Sequence, residues 1–302
     1  MFKNILVPLD GSKLAESALP PAFSLAETLN APVTLLHVIE KDAPNQVHND
    51  RHLTRNDEAN AYLQALAEKA AGKKFTVETH VHAAGVDDVA ASITEHVRED
   101  FKPDLIVMCA HGSSGFRDLI FGSIAQKVLA DGETPLLLLQ PRTAKSALFT
   151  LRRILIPLDS ESKHDDTLPY ALKLARAYGA EIYLLTVIPT FDTLTGKEAA
   201  ISSLLPVTAT AFLDLQEETA KEHLQTHLDE FLQAGCDVSA EIGRGDPANV
   251  ISATAARVNA DLILLSTHRK AGVRAFWARS VAPNVVKKTR IPLLLIPLKG
   301  ES

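Results

Sequence analysis

The sequence predicts an α/β protein of two tandem domains, each a doubly wound five-stranded parallel sheet, and three observations predict it. The chain repeats itself: KNILVPLD at 3–10 answers RRILIPLD at 152–159, DLIVMCAHG at 104–112 answers DLILLSTHR at 261–269, and TPLLLLQP at 134–141 answers IPLLLIPL at 291–298. Within each repeat, short apolar runs alternate with segments of helical spacing. The runs are almost continuously Val, Ile and Leu, as strands covered on both faces by helices require. The first match is offset by 149 residues and the other two by 157, so the length difference belongs to the middle of each copy, where 40–60 and 189–215 are unlike. Domains at 1–142 and 151–302 follow, joined by RTAKSALFTL at 142–151, which has no Gly/Ser-rich tract for free tumbling.

In the first copy the elements are read in order. Ile5–Leu9 is the first strand, and Pro20–Leu29 the first helix, with Phe23, Ala26 and Leu29 on one face and proline tolerated in its first turn. Val33–Ile39 is the second strand and Tyr62–Ala71 the second helix. Phe75–His82 precedes the helix Asp88–Glu99, whose Val89, Ile93 and Val97 fall four apart. Leu105–Cys109 precedes the helix Ile124–Ala130, which opens at Ser123; Ser123 and Gln126 match a capping box. Leu136–Leu139 is the fifth strand. Strictly alternating strands and helices give a doubly wound sheet with right-handed crossovers.

Composition narrows the class. With 302 residues, 46% of them hydrophobic, the chain suffices for two ordinary cores and is too apolar for disorder. A net charge of −6 argues against a nucleic-acid partner. The first apolar run is interrupted by Pro8 and closed by Asp10, so neither a signal peptide nor a spanning helix is expected, and no later run is long enough for a membrane. Cys109 and Cys236 make no disulfide framework and no CxxC is present, which fits a reducing cytoplasm.

Ligands of doubly wound sheets sit beyond the carboxyl ends of the strands, where strand order reverses. Strand one ends in Leu9, Asp10, Gly11 and Ser12. Strand four ends in Met108, Cys109, Ala110, His111 and Gly112, and Gly122 and Ser123 open the next helix. Gly112 permits close backbone approach, and Gly122 leaves room for an anion at a helix N-terminus. Asp10 suits a ribose, or a metal on the phosphates. The plainer alternative is that Asp10 and Ser123 cap turns and the glycines serve tight turns.

This pattern resembles the universal stress protein family over essentially the whole chain, twice. The family shows a strand ending in P-x-D, a second ending in H-V-x, and G-x-x-G followed nine residues later by G-[ST]. Pro8–Asp10, His37–Val38, and Gly112 with Gly122–Ser123 match these elements. The resemblance implies a fold like that of the adenine nucleotide alpha hydrolases. In one branch it implies ATP, with Mg2+ on any bound phosphates, held by Leu9, Asp10, Val38, Met108, Cys109, Gly112, Gly122, Ser123 and the backbone of Ile124. The Val38 backbone would meet the adenine. Cys109 departs from the pattern, standing where the first glycine should be. Single-domain members pair through their last strand, so Leu136–Leu139 and Leu293–Ile296 are expected to face one another in an intrachain pseudo-dimer; a further homodimer stays open. In the second copy Asp159 and Val187 are kept, but Ser266, Arg269 and Arg279 replace the three glycines. That copy reads as a degenerate site, with its arginines in the vacated phosphate space beside Asp159, or else pointing to solvent.

Other signals are weaker. A neighbouring anion site could depress the Cys109 pKa and make it redox-active, although a buried inert thiol is the commoner case. His80 and His82 share a strand face that could bind metal, but no carboxylate or Cys partner is evident. His111 and His268 occupy matching places. The basic stretch from Arg269 to Arg290 reads as a solvated face. GxxxxGK[ST], GxSxG and HExxH are all absent. With the family resemblance, the sequence thus points to a cytoplasmic stress-response regulatory protein that binds an adenine nucleotide in its first domain, with at most slow ATP hydrolysis. The alternative is a scaffold that recognises a protein or another small ligand.

Overall fold

A computed structural model describes residues 2–43, 46–47, 50–110, 123–131, 133–140, 149–159, 166–194, 206–267 and 281–298. The described residues form two compact units, one within Met1–Thr150 and Pro292–Ser302, the other within Leu151–Thr267 and Ser280–Ile291.

The first unit runs β1 (Ile5–Pro8), α1 (Lys13–Glu16), α2 (Leu19–Leu29), β2 (Val33–Glu40), the short strands β3 (Gln46–Val47) and β4 (Asp50–Arg51), α3 (Asn56–Glu68), β5 (Val77–Val86), α4 (Val89–His96), a π-helical turn (Val97–Phe101), β6 (Leu105–Cys109), α5 (Ser123–Asp131) and β7 (Leu136–Leu139). Its sheet has the order β5-β2-β1-β6-β7, all parallel. A sixth strand, β12 (Leu293–Pro297), comes from the end of the second repeat and pairs antiparallel with β7, setting Leu293 opposite Leu138 and Leu295 opposite Leu136. The two apolar runs therefore do face one another, and each covers what would otherwise be an exposed ladder edge.

The second unit holds β8 (Arg153–Leu158), α6 (Leu168–Tyr178), β9 (Glu181–Ile188), the long helix α7 (Pro206–Gln233), β10 (Val238–Arg244), α8 (Pro247–Arg257), β11 (Leu262–Thr267) and α9 (Ala282–Lys288). Its strands lie in the order β10-β9-β8-β11, again parallel.

Helices cover both faces. On β5, Thr79 accepts a hydrogen bond from Gln64 of α3, while the next residues on the opposite face, His80 and His82, meet His96 of α4. Strand cores such as Ile5, Leu35, Ile106 and Leu155 are fully enclosed, as the unbroken apolar runs require.

The duplication extends to the joints. Asp104 receives the backbone N–H groups of Lys3 and Asn4 at the start of β1, and Asp261 receives those of Arg152 and Arg153 at the start of β8. Asp88 caps α4 through Ala90 and Ala91, and Asp246 caps α8 through Asn249. Helices α2 and α6 both end in a left-handed residue, Asn30 at φ 51° and Gly179 at φ 64°.

Candidate functional site

In the first unit strand order reverses between β1 and β6, and the candidate residues Leu9, Asp10, Met108 and Cys109 lie at the carboxyl ends of those strands. The Leu9 N–H donates to Leu36 O at 2.8 Å, which extends the β1–β2 ladder one residue past the strand. His37, fully buried, sits between two carbonyl oxygens, with Nδ1 2.7 Å from Leu9 O and Nε2 3.2 Å from Leu53 O. It ties the end of β1 to the segment leading into α3. Val38 follows it, buried, in register with His82.

The turn after β1 is built around Asp10. Its Oδ1 accepts from the Ser12 N–H at 2.9 Å and from the Ser12 hydroxyl at 2.6 Å, and Ser12 Oγ in turn accepts from Ala15 N–H to cap α1. Gly11 stands at φ +89°, and a Cβ there would lie 2.9 Å from Leu53 Cγ, so both backbone conformation and space demand glycine. Lys13 N–H donates to Asp50 at 2.8 Å, and Lys13 Nζ lies 2.7 Å from Glu16. Asp10, Glu16 and Asp50 thus line this end of the sheet. The hydroxyl of Tyr62 is enclosed near them without a hydrogen-bond partner among the described residues. Burial, then the charges of Glu16, Asp10 and Asp50, hold its proton on and raise its pKa. Sequence reading singled out neither Tyr62 nor Leu53; nothing in their local spacing marks them, and only the chain's return over β1 brings them here.

Leu9, Val38, Met108 and Cys109 are all buried. The Cys109 thiol lies 3.1 Å from the Ser17 hydroxyl, which itself donates to Leu14 O at 2.6 Å. Burial pushes this thiol up to about 11, against the lowering effect of Ser17 and with a small further push from Asp10. This is the inert thiol, since a reactive one needs a depressed pKa. Against the ordinary value of 9.0, two pKa units leave roughly a hundredfold less thiolate near neutral pH. Alkylation of Cys109 by iodoacetamide should accordingly be about a hundredfold slower in the folded chain than in urea. Equal rates would contradict the burial.

Gly112, Gly122 and His111 lie outside the described residues, as does the side chain of Ser123, whose backbone opens α5 with Ile124 half-buried behind it. In the second unit Asp159 ends β8 exposed, and Val187 is half-buried on β9. Thr186 stands where the first copy has His37, and its hydroxyl is buried without a described partner. Ser266 is half-buried at the end of β11; His268, Arg269 and Arg279 lie outside the described residues. His80 and His82 are joined by His96, but no group of three or more His, Cys, Asp or Glu among the described residues is spaced to hold a metal ion. No helix among them is long and apolar enough to cross a membrane.

Known proteins resemble this arrangement. The profile of the universal stress protein family matches residues 1–140 and again 150–297. The universal stress protein YxiE of Bacillus subtilis is 31% identical over 152 residues, 46% of this chain and all of that one. A universal stress protein of Methanocaldococcus jannaschii is 27% identical over 149 residues, 48% of this chain and 81% of its own. Among solved structures, a universal stress protein from Archaeoglobus fulgidus superposes with a TM-score of 0.72 at 18% identity, covering 99% of this chain and 97% of that one. A functionally unknown protein from Pseudomonas aeruginosa gives 0.65 at 19%, covering 98% and 93%. At such identities these two structures speak to fold, while the double profile match speaks to descent: the chain belongs to the universal stress protein family, as two tandem copies of its domain.

Proposed function

We propose that this is a cytoplasmic regulatory protein that binds an adenine nucleotide, ATP or a close relative, in its first repeat. The observation that carries the reading is the placement of Asp10 and Gly11 at the end of β1, at the reversal of strand order, with the Val38 backbone one strand away. Asp10 would take the ribose or hold Mg2+ on the phosphates, and the base would lie against Val38. Met108, Cys109 and Leu9 would close the floor. Gly112, Gly122, Ser123 and the Ile124 N–H would wrap the phosphates at the start of α5. The enclosed Tyr62 hydroxyl beside Asp10, Glu16 and Asp50 suits a ligand that brings its own cation. Such a nucleotide serves as a signal rather than a substrate, because the sequence carries no P-loop lysine.

A second reading, a scaffold that recognises a protein or another small ligand, is favoured by the packing of Leu53 over Gly11 and by the burial of Leu9, Val38, Met108 and Cys109. Calorimetry with Mg-ATP on the full chain separates the two. The nucleotide reading expects saturable heat that disappears in Gly122→Arg, whose side chain would occupy phosphate space. Absence of heat at millimolar ATP leaves the scaffold.

A further inference from the structure

The first unit gathers three imidazoles that the nucleotide reading does not use. His80 and His82 project from one face of β5, and His96 from the last turn of α4 meets both, its ring centroid 5.0 Å from that of His80 and 4.9 Å from that of His82. Phe101 closes over His80 at 5.1 Å. The π-helical turn after α4 brings Asp100 round to His96, Oδ2 to Nδ1 at 2.5 Å, and His96 Nε2 lies 2.9 Å from His82 Nδ1.

Proton placement follows. A carboxylate only accepts, so His96 Nδ1 carries a hydrogen. In neutral His96 the Nε2 is then an acceptor, and His82 Nδ1 donates to it. If His96 becomes an imidazolium it donates both ways and His82 Nδ1 accepts. Either state has one proton between the rings. If both rings are charged, donor faces donor across 2.9 Å and the link cannot persist. Among the described residues, few groups can offset the charge. From β2, the register partners of His80 and His82 are Leu36 and Val38, which carry none. From α4 and its turn there is Asp100, and from β5 the exposed Glu78, two residues before His80 on the same face.

We propose that His80, His82 and His96, braced by Asp100, form a proton-operated latch that holds α4 against the edge strand β5 at neutral pH and releases it on acidification. Burial, then the neighbouring His96, pulls the His80 pKa below its ordinary 6.5. A depressed histidine means that the opened state binds more protons than the closed one as pH falls through that value. The latch is therefore complete above about pH 6.5 and is lost progressively as pH falls through the depressed value. The release point matters for the site, because His82 is the register partner of Val38 and the β2–β5 register shifts immediately afterwards. The latch itself does not depend on any nucleotide.

The second repeat is an internal control. At the register position of His80 it has Glu241, which accepts from Tyr183 at 2.7 Å and from Thr254 at 3.1 Å and pairs with Arg257. Burial raises the Glu241 pKa, but these partners together outweigh it and hold the carboxyl below its usual range, so the network keeps its charges between pH 7 and pH 5.

Hydrogen exchange of the full chain at pH 7 and pH 5, corrected for intrinsic exchange rates, tests the latch. Protection across Val77–Val86 and Val89–Phe101 should fall, by at most about tenfold per pH unit for one proton taken up on opening. Protection across Val238–Arg244 and Pro247–Arg257 should hold. His80→Gln/His82→Gln should abolish the difference. Equal losses in both repeats, no loss in either, or an unchanged pH response in the variant each overturn the proposal. Should the variant not fold, the wild-type comparison between repeats decides by itself.

Discussion

Replacing Leu293 by Asp should unfold the first unit more readily than any substitution in its own loops, although Leu293 is encoded near the other end of the chain. Leu293 is 0% exposed on β12, paired with Leu138, itself 0% exposed on β7. An aspartate there is either charged without a partner or protonated at the expense of a raised pKa, and it forfeits the leucine's packing as well. The loss should be about 4 kcal/mol, or about a thousandfold in the folded-to-unfolded ratio. The control is Leu232→Asp on α7, where the leucine is 52% exposed and the change should cost no more than ~0.5 kcal/mol. Urea denaturation followed by circular dichroism compares them. Equal midpoints for the two variants would show that β12 is not an integral strand of the first unit.

How much of this was legible in the sequence varies by element. Strands β1, β2, β6 and β7 were placed to within a residue, because a doubly covered parallel strand has no choice but to be apolar throughout. The edge strand β5 was harder. Its apolar run suggested Phe75–His82, whereas the strand is Val77–Val86, continuing through Ala83, Ala84 and Gly85. Helix α3 starts at Asn56, six residues before the Tyr62 expected, since its first turn buries only the small Ala59. The expected helix Asp88–Glu99 is α4, capped by Asp88, but its end is a π-helical turn rather than a continuation. Helix α7, the short strands β3 and β4, and α1 went unseen. The first two fall in the unlike middles of the copies, where no internal comparison helps, and α7 exposes Val207 and Leu215, which blurs its apolar stripe.

The candidate site was legible as a motif at strand ends and not as packing. Pro8–Asp10 and His37–Val38 marked the right strand ends, yet the work His37 does, bridging Leu9 O and Leu53 O, depends on a segment sixteen residues further on. The His80–His82 pair was visible as two residues on one strand face. His96, which makes it a cluster, sits in a helix whose spacing looked purely structural.

The second large effect concerns how many nucleotides one chain binds. Mg-ATP should saturate at one equivalent per chain, and Asp10→Asn should weaken that binding ten- to a hundredfold while Asp159→Asn leaves it unchanged. The isosteric change keeps an acceptor for Ser12, so the turn and the cap of α1 survive; what is lost is the charge offered to a ribose or a cation, worth about 1.5–3 kcal/mol. The second repeat keeps its matching aspartate, but its surroundings differ. In place of His37 it has Thr186, whose buried hydroxyl has no described partner, so the tie from strand end to the following segment is not made by this residue. Ser266 stands at the end of β11, and Arg269 and Arg279 replace the glycines that would let backbone approach a phosphate. Titration calorimetry gives stoichiometry and affinity together. Two equivalents of ATP, or a larger loss from Asp159→Asn than from Asp10→Asn, would reverse the assignment of the two halves.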